Sequence, residues 1–165
     1  APLKLAHVHE GRVAVEVRHV IRNPVDLAAA LLTECGGPAR FFANHHLMLR
    51  AQPQWLERAR SVSAAQQARW VSGPPAARMR AIAGDLDFYE LMETRGYGRA
   101  ELDRCLSDEA RAAAINAASA ANSAEFAVPG TPSFVLNGRL LEGVHDWPAL
   151  APVLASAALA PAPRD

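Results

Sequence analysis

Two cysteines, Cys35 and Cys105, are the residues of this 165-residue chain most capable of redox or covalent chemistry. A redox-active pair stands close in sequence, with one sulfur at a helix N-terminus where the dipole and open amides stabilise a thiolate. These two lie 70 positions apart and neither opens a helix. The spacing favours a structural disulfide, with two buried free thiols or a redox role as the alternatives. Closing a loop of that length is worth about 4 kcal/mol in the chain-entropy treatment.

Histidines are the next candidates. His7 and His9 are two apart, His45 and His46 adjacent, and His19 and His145 isolated, with no Cys-x-x-Cys or His-x-x-x-His to gather a tetrahedral set. No metal site is expected, and no other cofactor is implied. His7 and His9 are expected to flank a helix end, and at least one of His45 and His46 to face solvent.

The most informative stretch is Gly130-Thr131-Pro132-Ser133-Phe134, followed by Val135-Leu136-Asn137-Gly138 and Arg139-Leu140-Leu141-Glu142. It reads as two short strands joined by an Asn-Gly turn. A proline inside a strand would delete a ladder hydrogen bond, so Pro132 must stand at the strand's first position, and a cis Thr131-Pro132 bond is expected.

The elements that carry these residues follow from periodicity and breakers. Arg12 to Ile21 alternates Val13, Val15 and Val17 with Ala14, Glu16 and Arg18, the period of a strand with unequal faces. Asn23-Pro24 ends it. Val25 to Cys35 is an alanine- and leucine-rich helix stopped by Gly36-Gly37-Pro38, and helical pattern continues with separations at Gln52-Pro53, Gly73-Pro74-Pro75 and Gly96-Tyr97-Gly98. Ser107 is the expected N-cap of a long helix to about Phe126, with Asp108 and Glu109 in its first turn. A final helix begins at Asp146-Trp147-Pro148, and the alanine- and proline-rich tail from Ala155 is expected to fray. Phe41, Phe42, Leu47, Trp55, Trp70, Phe88, Tyr89 and Leu91 are expected in the core, some of them lining a peptide groove.

Half of the residues are apolar, enough for one sizeable core and most simply one domain. Seventeen basic residues balance seventeen acidic ones, so no net field recommends nucleic acid or anionic lipid as a partner. No apolar run approaches a membrane span and no signal peptide opens the chain, as expected of a mature or truncated protein.

Strand, large helical insertion from about 25 to 125, return through Val128-Pro129-Gly130-Thr131-Pro132-Ser133-Phe134, hairpin and final helix together resemble the DsbA-type thiol:disulfide oxidoreductases. The stretch from Ala28 to Phe42, with Thr33-Glu34-Cys35-Gly36-Gly37-Pro38, is similar to the first insertion helices of bacterial members. The resemblance implies an α/β, thioredoxin-like fold, mostly helical by residue count, in one domain with a frayed tail at about 156–165.

It also implies thiol–disulfide exchange on cysteine-containing protein substrates, with a redox partner protein, in a periplasmic or otherwise extracytoplasmic setting. Thr131 and Pro132 would hold the substrate: the Thr131 backbone pairs with an extended client, and Pro132 packs beside the reactive sulfur. The family's Cys-x-x-Cys is absent from these residues, and Ala1 to Val8 corresponds to the end of the helix that would carry it. The first strand, which lies between the second and third in the family's sheet, is absent as well. Its place is expected to be filled by a longer chain, with a swapped strand or an abbreviated strand at Leu3 to Ala6 as alternatives. A redox-inactive peptide-binding module of the same fold is the second reading, and a helical interaction domain a third.

Overall fold

The computed structural model describes residues 13–159. The chain forms two compact units, one spanning His19–Ala120 and another joining the segment that ends at Arg18 to the part that begins at Ala121.

The first unit is helical. Its elements are α1 (Pro24–Glu34), α2 (Pro38–Arg50), α3 (Gln52–Ser61), α4 (Ala64–Val71), α5 (Pro75–Asp85), α6 (Phe88–Glu93), α7 (Arg99–Leu106) and most of α8 (Glu109–Phe126). Local chemistry sets their starts. Proline opens α1, α2 and α5, where its missing N–H costs no helical bond. The Asn23 side chain accepts the amides of Val25 and Asp26, and Ser63 and Gln66 form a capping box on α4. Asp108, not Ser107, caps α8: its carboxylate accepts the Arg111 N–H at 2.8 Å. Ser107 instead ends α7, and its hydroxyl accepts from Arg80.

The core of this unit gathers Ala28, Leu31 and Leu32 of α1, Ile82 and Ala83 of α5, Phe88, Tyr89 and Met92 of α6, and Leu102 and Leu106 of α7. Each fully buried large side chain contributes about 1.5 to 3 kcal/mol. Trp55 and Trp70 are buried with them, and the indole of Trp55 meets Phe88 edge-on at 5.6 Å. Phe41, Leu47 and Leu91 are half-buried, and Phe42 departs from the expected core by standing 38% exposed. Phe42 is on the turn of α2 that faces away from the buried Asn44 and Met48.

The strand expected at Arg12 to Ile21 does not form over its described part. Val13, Val15 and Val17 are half-buried while Ala14, Glu16 and Arg18 are exposed, so the alternation is real. No ladder accompanies it among the described residues. A period of two reports one-sided burial, not pairing, and the Ile21 N–H goes to the Ser119 hydroxyl at 2.8 Å instead of to a neighbouring strand. Arg12 and the alternative strand at Leu3 to Ala6 lie outside the described residues, as do His7 and His9.

The second unit holds β1 (Val135–Leu136), β2 (Arg139–Leu140) and α9 (Trp147–Leu159). β1 and β2 pair antiparallel with Val135 opposite Leu140 and Leu136 opposite Arg139. Asn137 and Gly138 turn between them with φ of 49° and 79°, the left-handed pair that a two-residue hairpin loop of type I′ requires. Both strands are shorter than the sequence suggested. Pro132 offers no N–H to extend β1, and a turn closed by Val144 N–H on Leu141 O ends β2. The tail is helical beyond its expected fraying point: α9 continues through residues 156–159, past Pro152, with Leu150 and Leu154 buried. No helix among the described residues is long and apolar enough to cross a membrane.

Candidate functional site

After α8 ends at Phe126, Ala127 turns the chain with φ of 48° and delivers it to Val128-Pro129-Gly130-Thr131-Pro132. The Thr131-Pro132 peptide is cis, and both residues are exposed. Side chains and backbone hold this loop at three points. The Ser133 hydroxyl donates to Gly130 O at 2.7 Å, His145 Nδ1 lies 2.8 Å from Pro132 O, and the Leu141 N–H donates to Phe134 O at 2.8 Å. His145 precedes Asp146, whose carboxylate accepts the Ala149 N–H at the start of α9. His145 is isolated in the sequence because its contact spans 13 positions and a loop histidine carries no periodic signal.

Cys35 and Cys105 are joined, with Cα atoms 5.7 Å apart. Cys35 follows α1 directly and Cys105 is on α7, so the bond fastens the first helix of the helical unit to its seventh. Neither sulfur is a free thiol, and the chain has no other cysteine. The Cys35 carbonyl is equally tied down: Tyr97 Oη donates to it at 2.6 Å and Asn44 Nδ2 at 2.9 Å.

Beside this clip stands a cluster of ionisable groups. Glu34 pairs with Arg111, and His19 Nε2 lies 3.5 Å from Glu34 Oε1 without a hydrogen bond. Burial holds the His19 imidazole below its ordinary value, against the pull of Glu34 and with the help of Arg111. His45, stacked on Phe41 at 5.8 Å, is lowered first by burial and then by His19 and His46. His46 itself is exposed. Among the described residues no three His, Cys, Asp or Glu side chains converge on a metal-sized point.

Thr131 and Pro132 are thus adjacent in one exposed loop, and Cys35 and Cys105 are adjacent in the other unit. The loop from Val128 to Phe134 contains no cysteine. Residues 1–155 match the family model described as Thioredoxin. The chain belongs to the thioredoxin family. Its fold is thioredoxin-like, mostly helical, with a small antiparallel sheet. Among solved structures, it is similar to a protein-disulfide isomerase from Novosphingobium aromaticivorans, with 42% identity and a TM-score of 0.90 over 96% of this chain and 81% of that one. No curated protein matches this member of the thioredoxin family.

Proposed function

We propose that this protein takes part in thiol–disulfide exchange on cysteine-containing protein substrates, as a DsbA-type oxidoreductase or isomerase in an extracytoplasmic compartment. The observation that carries the reading is the 42% identity to a protein-disulfide isomerase across 96% of the chain, a span that includes both compact units. The two units are then the base and the helical insertion of one thioredoxin-like domain.

In this reading Thr131 and Pro132 meet the client. A thiolate of a Cys-x-x-Cys pair attacks a client disulfide, one client sulfur leaves as thiolate, and a mixed disulfide joins protein to client. The second thiol of the pair, once deprotonated, attacks the mixed disulfide, releases the client sulfur as a thiolate and leaves the pair oxidised. A redox partner protein then restores the pair. Cys35 and Cys105 do not fit that role: they stand 70 positions apart instead of in a Cys-x-x-Cys pair, and Cys35 is buried in a bond that clips two helices together. The test is reduction of insulin by dithiothreitol in the presence of the full-length gene product: acceleration supports exchange.

A second reading is a redox-inactive module that binds peptides through the same loop. It is favoured by the tied cysteines, of which Cys35 is only 3% exposed. Binding of a client chain without any acceleration of insulin reduction by the full-length product would select it.

A further inference from the structure

Proline leaves a backbone with one hydrogen-bonding group in place of two. At Pro132 that remaining group, the carbonyl, lies 2.8 Å from His145 Nδ1. A carbonyl oxygen accepts, so Nδ1 carries the proton and donates. In the neutral ring this selects the Nδ1–H tautomer and leaves Nε2 as a lone-pair acceptor. Protonation of the ring adds a proton at Nε2 and keeps the Nδ1 donor, so the contact holds in both charge states. The Nε2–H tautomer is the form that breaks it.

The imidazole is rooted. Its neighbour Asp146 caps α9 through the Ala149 N–H at 2.9 Å, and α9 buries Leu150 and Leu154. The Pro132 carbonyl is therefore tied to a packed helix, while the Ser133 hydroxyl on Gly130 O ties the loop only to itself. We infer that His145 is a positioning residue of the Thr131-Pro132 loop, fixing the direction of the Pro132 carbonyl and with it the course of the chain that meets the client. This rests on the reading of that loop as the client-binding segment.

The experiment compares wild type with His145→Ala, His145→Phe and His145→Asn, all in the 165-residue chain, using fluorescently labelled insulin B chain with its cysteines carboxamidomethylated. Loss of one neutral hydrogen bond of about 0.5 to 1.5 kcal/mol predicts binding about two- to tenfold weaker for the Ala and Phe variants. Asn, whose amide N–H reaches the place of Nδ1, restores affinity to within about twofold of wild type. Equal affinity of wild type and His145→Ala overturns the inference. Long-range proton–nitrogen NMR of the wild-type ring reads the same contact without any client: the Nδ1–H form, or the imidazolium, supports it and a dominant Nε2–H form overturns it. Should the wild type fail to bind the probe at all, the client-binding reading falls. The positioning role is then decided by amide exchange at Thr131 and Ser133, faster in His145→Ala if His145 orders the loop and unchanged if it does not.

Discussion

The hydroxyl of Tyr97 donates to the carbonyl oxygen of Cys35 at 2.6 Å, across 62 positions of sequence. Asn44 Nδ2 donates to the same carbonyl and also reaches Tyr97 Oη at 2.7 Å, so the backbone beside the disulfide sits in a small buried polar network. Gly36 makes room for it: a Cβ there would stand 2.6 Å from the Tyr97 hydroxyl, and its φ of +79° is in the left-handed region.

Tyr97→Phe removes a donor to a buried carbonyl and an acceptor for Asn44, and is expected to cost about 1 to 3 kcal/mol. Gly36→Ala is expected to cost at least as much, since strain adds to displacement of the Tyr97 ring. Urea unfolding followed by circular dichroism measures both, and a Tyr97→Phe midpoint equal to wild type would show that the network carries no net stability.

Opening the disulfide acts on the unfolded chain. A crosslink spanning 70 residues is worth about 4 kcal/mol by loop-closure entropy, so Cys35→Ala with Cys105→Ala should lower the melting temperature by about 10 to 15 °C. Differential scanning calorimetry of the double variant reads this. The same variant should retain the helical circular dichroism of wild type at low temperature.

His19 and His45 give stability a pH dependence of definite sign. Burial is the first cause in both, and it lowers their folded-state values below the ordinary 6.5. The unfolded chain therefore binds more protons than the folded one as pH falls past 6.5, and stability declines in that direction while being complete above it. Glu34 opposes the effect at His19, whereas Arg111 at His19 and His46 at His45 reinforce it. Urea midpoints should drop between pH 7.5 and 5.5 in wild type. The drop should be smaller in His19→Gln with His45→Gln, and an equally steep drop in that variant would remove these two rings as its cause.

Asp85 serves three donors at once. Its carboxylate accepts Trp70 Nε1 at 2.7 Å, Gln66 Nε2 at 3.0 Å and Arg69 at 2.6 Å, and its side chain is 9% exposed. Asp85→Ala leaves a buried indole N–H without its acceptor and is expected to cost about 2 to 4 kcal/mol. Tryptophan fluorescence during urea unfolding follows it directly, and Arg69→Ala, which removes an exposed partner, should cost less than about 1 kcal/mol.

How much of this was legible beforehand depended on whether the signal was local. Asn137-Gly138 carries its hairpin in two residues, because few pairs tolerate two successive left-handed conformations. The breaks at Gln52-Pro53 and Gly73-Pro74-Pro75 were equally local, and α3 and α5 begin there. The valines at 13, 15 and 17 misled because alternation encodes which side is covered, and a ladder needs a partner that no sequence window contains. Ser107 and Asp108 are both good caps, and a window that contains the two does not tell that Ser107 ends α7 and accepts from Arg80, 27 positions away, while Asp108 caps α8. His145 was missed for the same reason: its meaning lies in Pro132, not in its neighbours.

The claim on which the account turns is that a protein client is held at the Thr131-Pro132 loop. Backbone amide NMR of the 165-residue chain, titrated with carboxamidomethylated insulin B chain, tests it most directly. The account predicts shifts concentrated at residues 130–134 and at His145. Shifts confined to the helical residues 24–106, or none at concentrations that saturate binding, would contradict it.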